Sequence, residues 1–320
     1  MYGSFFGLKE NPFNLTPDPR YLYLSPQHRD ALNYLIYGIK ERKGFIVITG
    51  GIGTGKTTIC RSLLATMDTN VDTALIFNPA ISAIELLGMI GQEFGIKMGR
   101  GKPTRKRYLD ALNRFLLRNF AEGRNALLLI DEAQNLSPPV MEQIRMLSNL
   151  ETEREKLLQI VLIGQPELTD ILGAPSLSQL NERIAVRYEL TALGKDQVVS
   201  YIDHRMKVAC GEEEYVSFAG SARKIIYRYS QGNPRRINVI CDRALLIAYA
   251  DNLSVIDKNV LNKAVADIGP GYLGREGFKK RKAPLVLFIS LTGMLCALCF
   301  TLFHDAIIRG LSLFLLWGRP

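Results

Sequence analysis

Gly50-Gly51-Ile52-Gly53-Thr54-Gly55-Lys56-Thr57-Thr58 fits the pattern G-x-x-x-x-G-K-[ST], and its reading decides the fold. Glycines let backbone N–H groups turn toward phosphate, and a following helix aims its positive end at the same point. Lys56 would reach the β- and γ-phosphates, and the Thr57 hydroxyl would ligate magnesium. The flanks supply the required context. Phe45-Ile46-Val47-Ile48-Thr49 reads as a buried strand, and Ile59 to Met67 reads as a helix. The motif alone leaves open a glycine-rich turn between two core elements.

Working outward, Ala126-Leu127-Leu128-Leu129-Ile130-Asp131-Glu132-Ala133-Gln134 is the second decisive stretch. An apolar run without alternation suits a central parallel strand covered on both faces. Open α/β sheets place their chemistry at the C-terminal ends of such strands. Asp131 would hold magnesium, directly or through water, and Glu132 would polarise the attacking water. A lone acid pair is equally compatible with a solvated turn; the upstream phosphate loop is what gives this one a partner. Leu157 to Ile163 reads as another buried strand, ending at Gly164-Gln165. Gln165 could sense the γ-phosphate from between the loop and Asp131, or could simply cap the strand end.

The remaining elements fall around these. Residues 1–27 are rich in Phe, Tyr and Pro and read as a segment wrapped over a body. Ser25-Pro26 reads as an N-cap followed by Pro at the first helical position, opening a helix to about Arg42. Ala74 to Phe77 is a short strand, Ile81 to Phe94 a helix, Arg100 to Arg107 a basic loop, and Tyr108 to Ala121 an amphipathic helix. Leu136 to Asn149 and Leu177 to Arg183 read as helices, and Ala185 to Leu190 alternates like a final strand. From Gly194 to Ile268 the pattern is wholly helical, in about four helices, with Gly232-Asn233-Pro234 marking one clear start. The fold class is therefore α/β, a P-loop domain with a central parallel sheet followed by a small all-α domain.

Composition bounds the function without choosing it. The formal net charge is +9, compatible with nucleic acid, anionic lipid or an acidic partner. Five cysteines at irregular spacing give no disulfide framework, and three histidines give no metal cluster. No signal peptide is expected at the start. After a Gly-containing linker, Lys279-Lys280-Arg281-Lys282 precedes Ala283 to Phe303, which carries no charge. That length matches a bilayer core of about 30 Å and predicts a transmembrane helix with its N-terminal side cytoplasmic. Cys296 and Cys299 lie inside the run and read as packing residues. Ala306 to Trp317 is apolar again but contains Arg309, and reads as an interfacial tail or half of a hairpin.

The chain resembles an AAA+ ATPase, and more narrowly the ExeA/GspA family of general secretion pathway ATPases. The stretches that carry the resemblance are FFGLKENPFNLTPDPRYLYLSPQH, GFIVITGGIGTGKTT, LLLIDEAQNLS, QIRMLSNLETEREKLLQIVLIGQPEL and NPRRINVICDRALLIAYA, spread over residues 1–268. The resemblance implies an N-terminal wrap and first helix in 1–43, an AAA+ core in 44–192 and a helical lid in 193–268. A basic linker in 269–282, the membrane helix in 283–303 and a short tail in 304–320 complete the organisation. It implies that Arg183 is an arginine finger acting across a subunit boundary in a ring, and that Arg235 is the lid arginine called sensor 2. Taken alone, each arginine would be a surface ion-pair residue. The sequence departs from the family in having Gly51 where an acidic residue is usual, and Arg236 beside the lid arginine. Longer members carry a periplasmic peptidoglycan-binding domain after the span. Here 17 residues follow Phe303, so direct cell-wall binding is not expected, and the chain also resembles pilus and exopolysaccharide-export ATPases of that family.

The function expected is a homo-oligomeric ATPase anchored in the bacterial inner membrane with its ATPase domain in the cytoplasm. It would couple ATP and magnesium to type II secretion or a related envelope assembly through a partner protein. ATP is expected over GTP because no N-K-x-D motif follows the loop. The alternative is a DNA-binding, transposition-type AAA+ regulator, which the basic balance and the Arg100–Arg107 stretch permit and the apolar run opposes.

Overall fold

A computed structural model describes residues 2–16, 18–77, 81–97, 104–153, 155–210 and 216–273. The run 283–303 expected to span a membrane, the basic linker from 274 and the tail lie outside the described residues. Among the described residues no helix is long and apolar enough to cross a membrane.

The chain opens with a short helix α1 (Tyr2–Phe5) and enters the core through α2 (Pro26–Lys40). Strand β1 (Phe45–Gly50) leads through the glycine loop into α3 (Lys56–Thr66). Then follow β2 (Val71–Ile76), α4 (Ala83–Glu93), α5 (Arg105–Ala121), β3 (Asn125–Ile130), α6 (Pro138–Leu147) and β4 (Gln159–Gly164). Two short helices, α7 (Glu167–Leu172) and α8 (Ser178–Asn181), precede β5 (Ile184–Leu190). The five strands form one parallel sheet in the order β2-β3-β4-β1-β5.

Burial follows from that order. The inner strands β1 and β4 are buried at every residue, whereas β5 alternates along most of its length, as an edge strand with one solvated face must. Successive side chains point to opposite faces, so each central strand serves two cores. Ile46, Ile48, Leu127, Leu129, Val161 and Ile163 pack against α2 and α3 on one face. Phe45, Val47, Leu128, Ile130, Ile160 and Leu162 pack against α4, α5 and α6 on the other. Each such side chain, fully buried, contributes about 1.5–3 kcal/mol of transfer free energy.

Several element boundaries differ from expectation for local reasons. The helix after the glycine loop begins at Lys56 rather than Ile59, because Gly55 adopts a left-handed conformation at its N-cap and lets the chain turn directly into the helix. Arg105 to Arg107 are helical rather than loop: the Thr104 side chain accepts the Arg107 N–H and starts α5 early.

The remaining chain forms α9 (Lys195–Cys210), β6 (Ser217–Phe218), α10 (Gly220–Ser230), α11 (Pro234–Ala250), β7 (Val255–Ile256), α12 (Lys258–Ile268) and α13 (Pro270–Leu273). The all-α expectation for this region is thus corrected by a two-residue parallel pairing, Ser217 with Val255 and Phe218 with Ile256. The pairing ties the entry of α10 to the entry of α12.

The N-terminal segment packs on this helical bundle. Phe13 stands edge-on to Phe218, Phe5 edge-on to Tyr249, and the Tyr2 hydroxyl meets Asp242. Buried Arg205 donates to the Pro12 carbonyl and lies over the Tyr21 ring. A second link joins bundle and sheet: the side-chain amides of Gln27 and Gln197 bond reciprocally at 3.0 and 2.9 Å. The Tyr188 hydroxyl on β5 holds the Gln27 carbonyl.

Candidate active site

The strand order decides which loops meet. β4 lies between β1 and β3, so the three segments leaving their C-terminal ends converge: the glycine loop, Asp131-Glu132 and Gln165. Lys56, Thr57, Glu132 and Gln165 line one cavity of about 400 Å³, and Arg235 enters it from the first turn of α11. Arg183 does not line it; its guanidinium donates to the Ser148 carbonyl at 3.3 Å and hydroxyl at 3.2 Å.

The loop closes on itself. Lys56 Nζ donates to the Gly50 carbonyl at 2.9 Å and the Gly51 carbonyl at 3.1 Å. Thr54 Oγ1 donates to the Gly51 carbonyl at 2.8 Å. Thr57 Oγ1 donates to Asp131 Oδ2 at 3.0 Å, joining loop to acid pair. Burial lowers the Lys56 pKa, against the pull of Glu132 and Asp131. Burial likewise raises that of Asp131, against the hydrogen bonds from the Glu132 N–H and Thr57. Both shifts have one physical origin: a charge held away from water is disfavoured until an opposite charge compensates it.

Hard oxygen donors on Thr57 and Asp131 fit magnesium, which takes one or two protein oxygens and completes its shell with water and phosphate. Among the described residues no group of three or more His, Cys, Asp or Glu could hold a metal.

Glu132 sits at a left-handed turn, φ 53° and ψ 37°, unusual for a residue with a side chain. Its N–H donates to Asp131 Oδ1 at 2.9 Å, which stabilises the turn. Its Oε2 accepts from Gln134 Nε2 at 2.6 Å and from Gln165 Nε2 at 3.3 Å. Gln134 Oε1 in turn accepts the Gln165 N–H at 2.9 Å. Two amides thus fix the carboxylate from the strand ends.

Gln134 is one of three residues to which the sequence reading gives no role at the site. The second is Asn233. Its Oδ1 accepts the Arg236 N–H as the N-cap of α11, and its Nδ2 donates to the Ile52 carbonyl at the tip of the loop. A Cβ on Gly53 would lie 2.8 Å from Asn233 Oδ1 and 3.0 Å from Arg235 Cβ, so the approach needs glycine there. The third is His28, buried beneath the loop, with Nε2 3.0 Å from the Thr54 carbonyl. The Asn233 cap was signalled by Gly232-Asn233-Pro234; no local signal marked the other contacts.

A second cavity of about 180 Å³ adjoins the first, lined by Tyr21, Leu22, Tyr23, His28, Ala65 and Leu193. Gly55, Thr58, Tyr201, Arg205 and Pro234 line both. The site is therefore bipartite, with a polar chamber at the loop and a mostly apolar one beside it.

A parallel sheet in this order, a glycine loop entering a helix, and an acid pair at the end of the next strand but one form the arrangement of a P-loop nucleotide-binding domain. Residues 39–172 match a family model described as an AAA domain. The chain is 45% identical over 250 residues to general secretion pathway protein A of Aeromonas hydrophila, an alignment covering 78% of this chain and 45% of that protein. The chain thus spans less than half the length of that relative. In fold it resembles Cdc6p of Pyrobaculum aerophilum, with a TM-score of 0.63 and 19% identity over 82% of this chain and 72% of that one. It also resembles the ORC2 protein of Aeropyrum pernix in its ADPNP-ADP complexes, with a TM-score of 0.59 and 17% identity over 81% and 72% of the two chains.

Proposed function

We propose that the chain hydrolyses ATP to drive a conformational cycle in a type II secretion or related envelope-assembly system. The observation that supports the ATPase reading is the Thr57–Asp131 hydrogen bond, which ties the loop to the acid pair beside a cavity that Lys56, Thr57 and Glu132 line. The identity to general secretion pathway protein A supports the process.

In this reading the purine occupies the apolar chamber and the phosphates the polar one. Lys56 exchanges its bonds to the Gly50 and Gly51 carbonyls for phosphate oxygens. Thr57 and Asp131 would hold magnesium, which would neutralise charge on the phosphate chain. Glu132, oriented by Gln134 and Gln165, accepts a proton from the attacking water; Gln165 also faces the terminal phosphate. Arg235 brings positive charge from α11, so the presence of the terminal phosphate is felt by the helical bundle, which acts as a lid. Arg183 lies apart from this chain's own cavity, in keeping with action on a neighbouring copy in a ring. The uncharged run 283–303, after Lys279-Lys280-Arg281-Lys282, supports an inner-membrane anchor with the ATPase region cytoplasmic.

Turnover and binding measured together test this. Glu132→Gln is expected to bind ATP nearly as tightly as the parent while turnover falls by about 10²–10⁴-fold. Undiminished turnover in that variant would remove the assigned chemistry. Membrane fractionation of the full chain tests the anchor: recovery in the soluble fraction at low salt would reject it. DNA binding with a steep salt dependence would instead favour a nucleic-acid role.

A further inference from the structure

We infer that His28 is a positioning residue for phosphate binding: its imidazole fixes the Thr54–Gly55 peptide so that the Gly55 N–H faces the phosphate chamber. This rests on the nucleotide reading above and adds a residue that lies outside the phosphate loop, 22 positions before its first glycine.

The geometry assigns the proton. A carbonyl oxygen only accepts, so the 3.0 Å contact between His28 Nε2 and the Thr54 oxygen requires the proton on Nε2. Ser25 Oγ lies 2.6 Å from Nδ1. Burial keeps the ring neutral, so Nδ1 carries a lone pair and the Ser25 hydroxyl donates to it. Ser25 is itself buried, and as the N-cap of α2 it is fixed to the helix that carries the ring. The imidazole is therefore held on both nitrogens: at Nε2 by a carbonyl that can only accept, and at Nδ1 by a hydroxyl whose other acceptor is Gln27 Oε1 at 2.9 Å.

What the ring holds follows from peptide geometry. In a trans, planar peptide the C=O and N–H point in opposite directions. Drawing the Thr54 carbonyl toward His28 turns the Gly55 N–H away from it. Gly55 borders both chambers, while His28 borders only the apolar one. Gly55 is also the N-cap of α3 and has no side chain with which to set its own orientation. Its φ is 103°, and a Cβ there would lie 2.5 Å from His28 Nε2. Ring and glycine fit each other: the histidine supplies the constraint that a flexible glycine lacks.

The test compares ligands that differ only in phosphate, using the full chain. Dissociation constants for ATP, ADP and adenosine are measured calorimetrically for the parent, His28→Phe and His28→Gln. Phe keeps the ring volume and loses the donor; the Gln amide can restore a donor near the Nε2 position. We expect His28→Phe to weaken ATP and ADP about tenfold while adenosine changes less than about twofold, and His28→Gln to recover most of the loss. Equal weakening of all three ligands, or no weakening, overturns the inference. A second measurement needs no phenylalanine variant: the imidazole ¹⁵N spectrum of the parent should show a neutral Nε2–H tautomer that disappears in His28→Gln. An Nδ1–H tautomer would overturn the assignment. The underlying reading fails separately: it falls if the parent itself does not bind ATP, or if Lys56→Ala binds it as well as the parent.

Discussion

The two halves of the site are held in different ways. The acidic half is fixed from within the sheet: Asp131, Glu132, Gln134 and Gln165 follow adjacent strands β3 and β4 and bond to one another. The loop half, besides its internal bonds and the Thr57–Asp131 link, is held from outside. His28 steadies it from α2 and Asn233 from α11, residues separated from the loop by long stretches of chain. The carboxylates are thus held by bonds between strand ends, whereas the phosphate loop also leans on α2 and on the entry of α11.

The contrast can be broken at several points. Lys56→Ala should weaken ATP binding most, by about 100-fold in equilibrium titration, because a charged donor to phosphate is lost from a buried site. Gly55→Ala should come next. It forces a side chain onto a left-handed backbone and against His28, costing about 1–3 kcal/mol of stability in denaturant melts and loosening ATP binding as well. If its melting matched the parent, the loop would be softer than the structure indicates. Gln134→Leu should lower turnover about tenfold with ATP affinity unchanged, since it disturbs only the acidic half. Weakened binding in that variant would mean the halves are not separate.

Smaller effects should come from the outside supports. His28 is held neutral by burial, so its folded-state pKa lies below the unfolded value of about 6.5. The unfolded chain then takes up the proton first. Stability from this group is complete above about pH 6.5 and declines as pH falls from there toward the folded value. Asp131, with its pKa raised by burial, works in the opposite sense and favours the folded state at lower pH. Chemical denaturation between pH 7 and 5 should therefore be less pH-dependent in His28→Gln than in the parent, with Asp131 common to both. Asn233→Ser should keep the α11 cap but lose the reach to Ile52. It should weaken ATP by a few-fold while changing stability by less than about 1 kcal/mol.

The same division governs what could be read from the sequence. Lys56, Thr57, Asp131, Glu132 and Gln165 were all legible, because each belongs to a strand followed by its own loop and the parallel order brings strand ends together. His28 was not. It lies in the first turn of a helix whose apolar face explains its neighbours, and its partner is a backbone carbonyl, which has no sequence signature. The Ser217–Phe218 and Val255–Ile256 pairing escaped for a different reason: two residues are too few to display alternation. Arg105 to Arg107 were hidden in a basic run whose composition resembles loop, although Thr104 supplied the cap that makes them helical.

The Gln27–Gln197 pair has a consequence for motion. Its members are neutral amides, each both giving and receiving a hydrogen bond, so water can take the place of either partner at little net cost. A joint of this kind has no net charge to screen and no group that titrates near neutrality. Relative movement of sheet and bundle at this contact should therefore run at similar speed in dilute and concentrated salt, unlike a hinge fastened by an ion pair. Stopped-flow fluorescence across an ionic-strength series, with dyes on α2 and α9, would reveal whether the clasp is as indifferent to its medium as its chemistry implies.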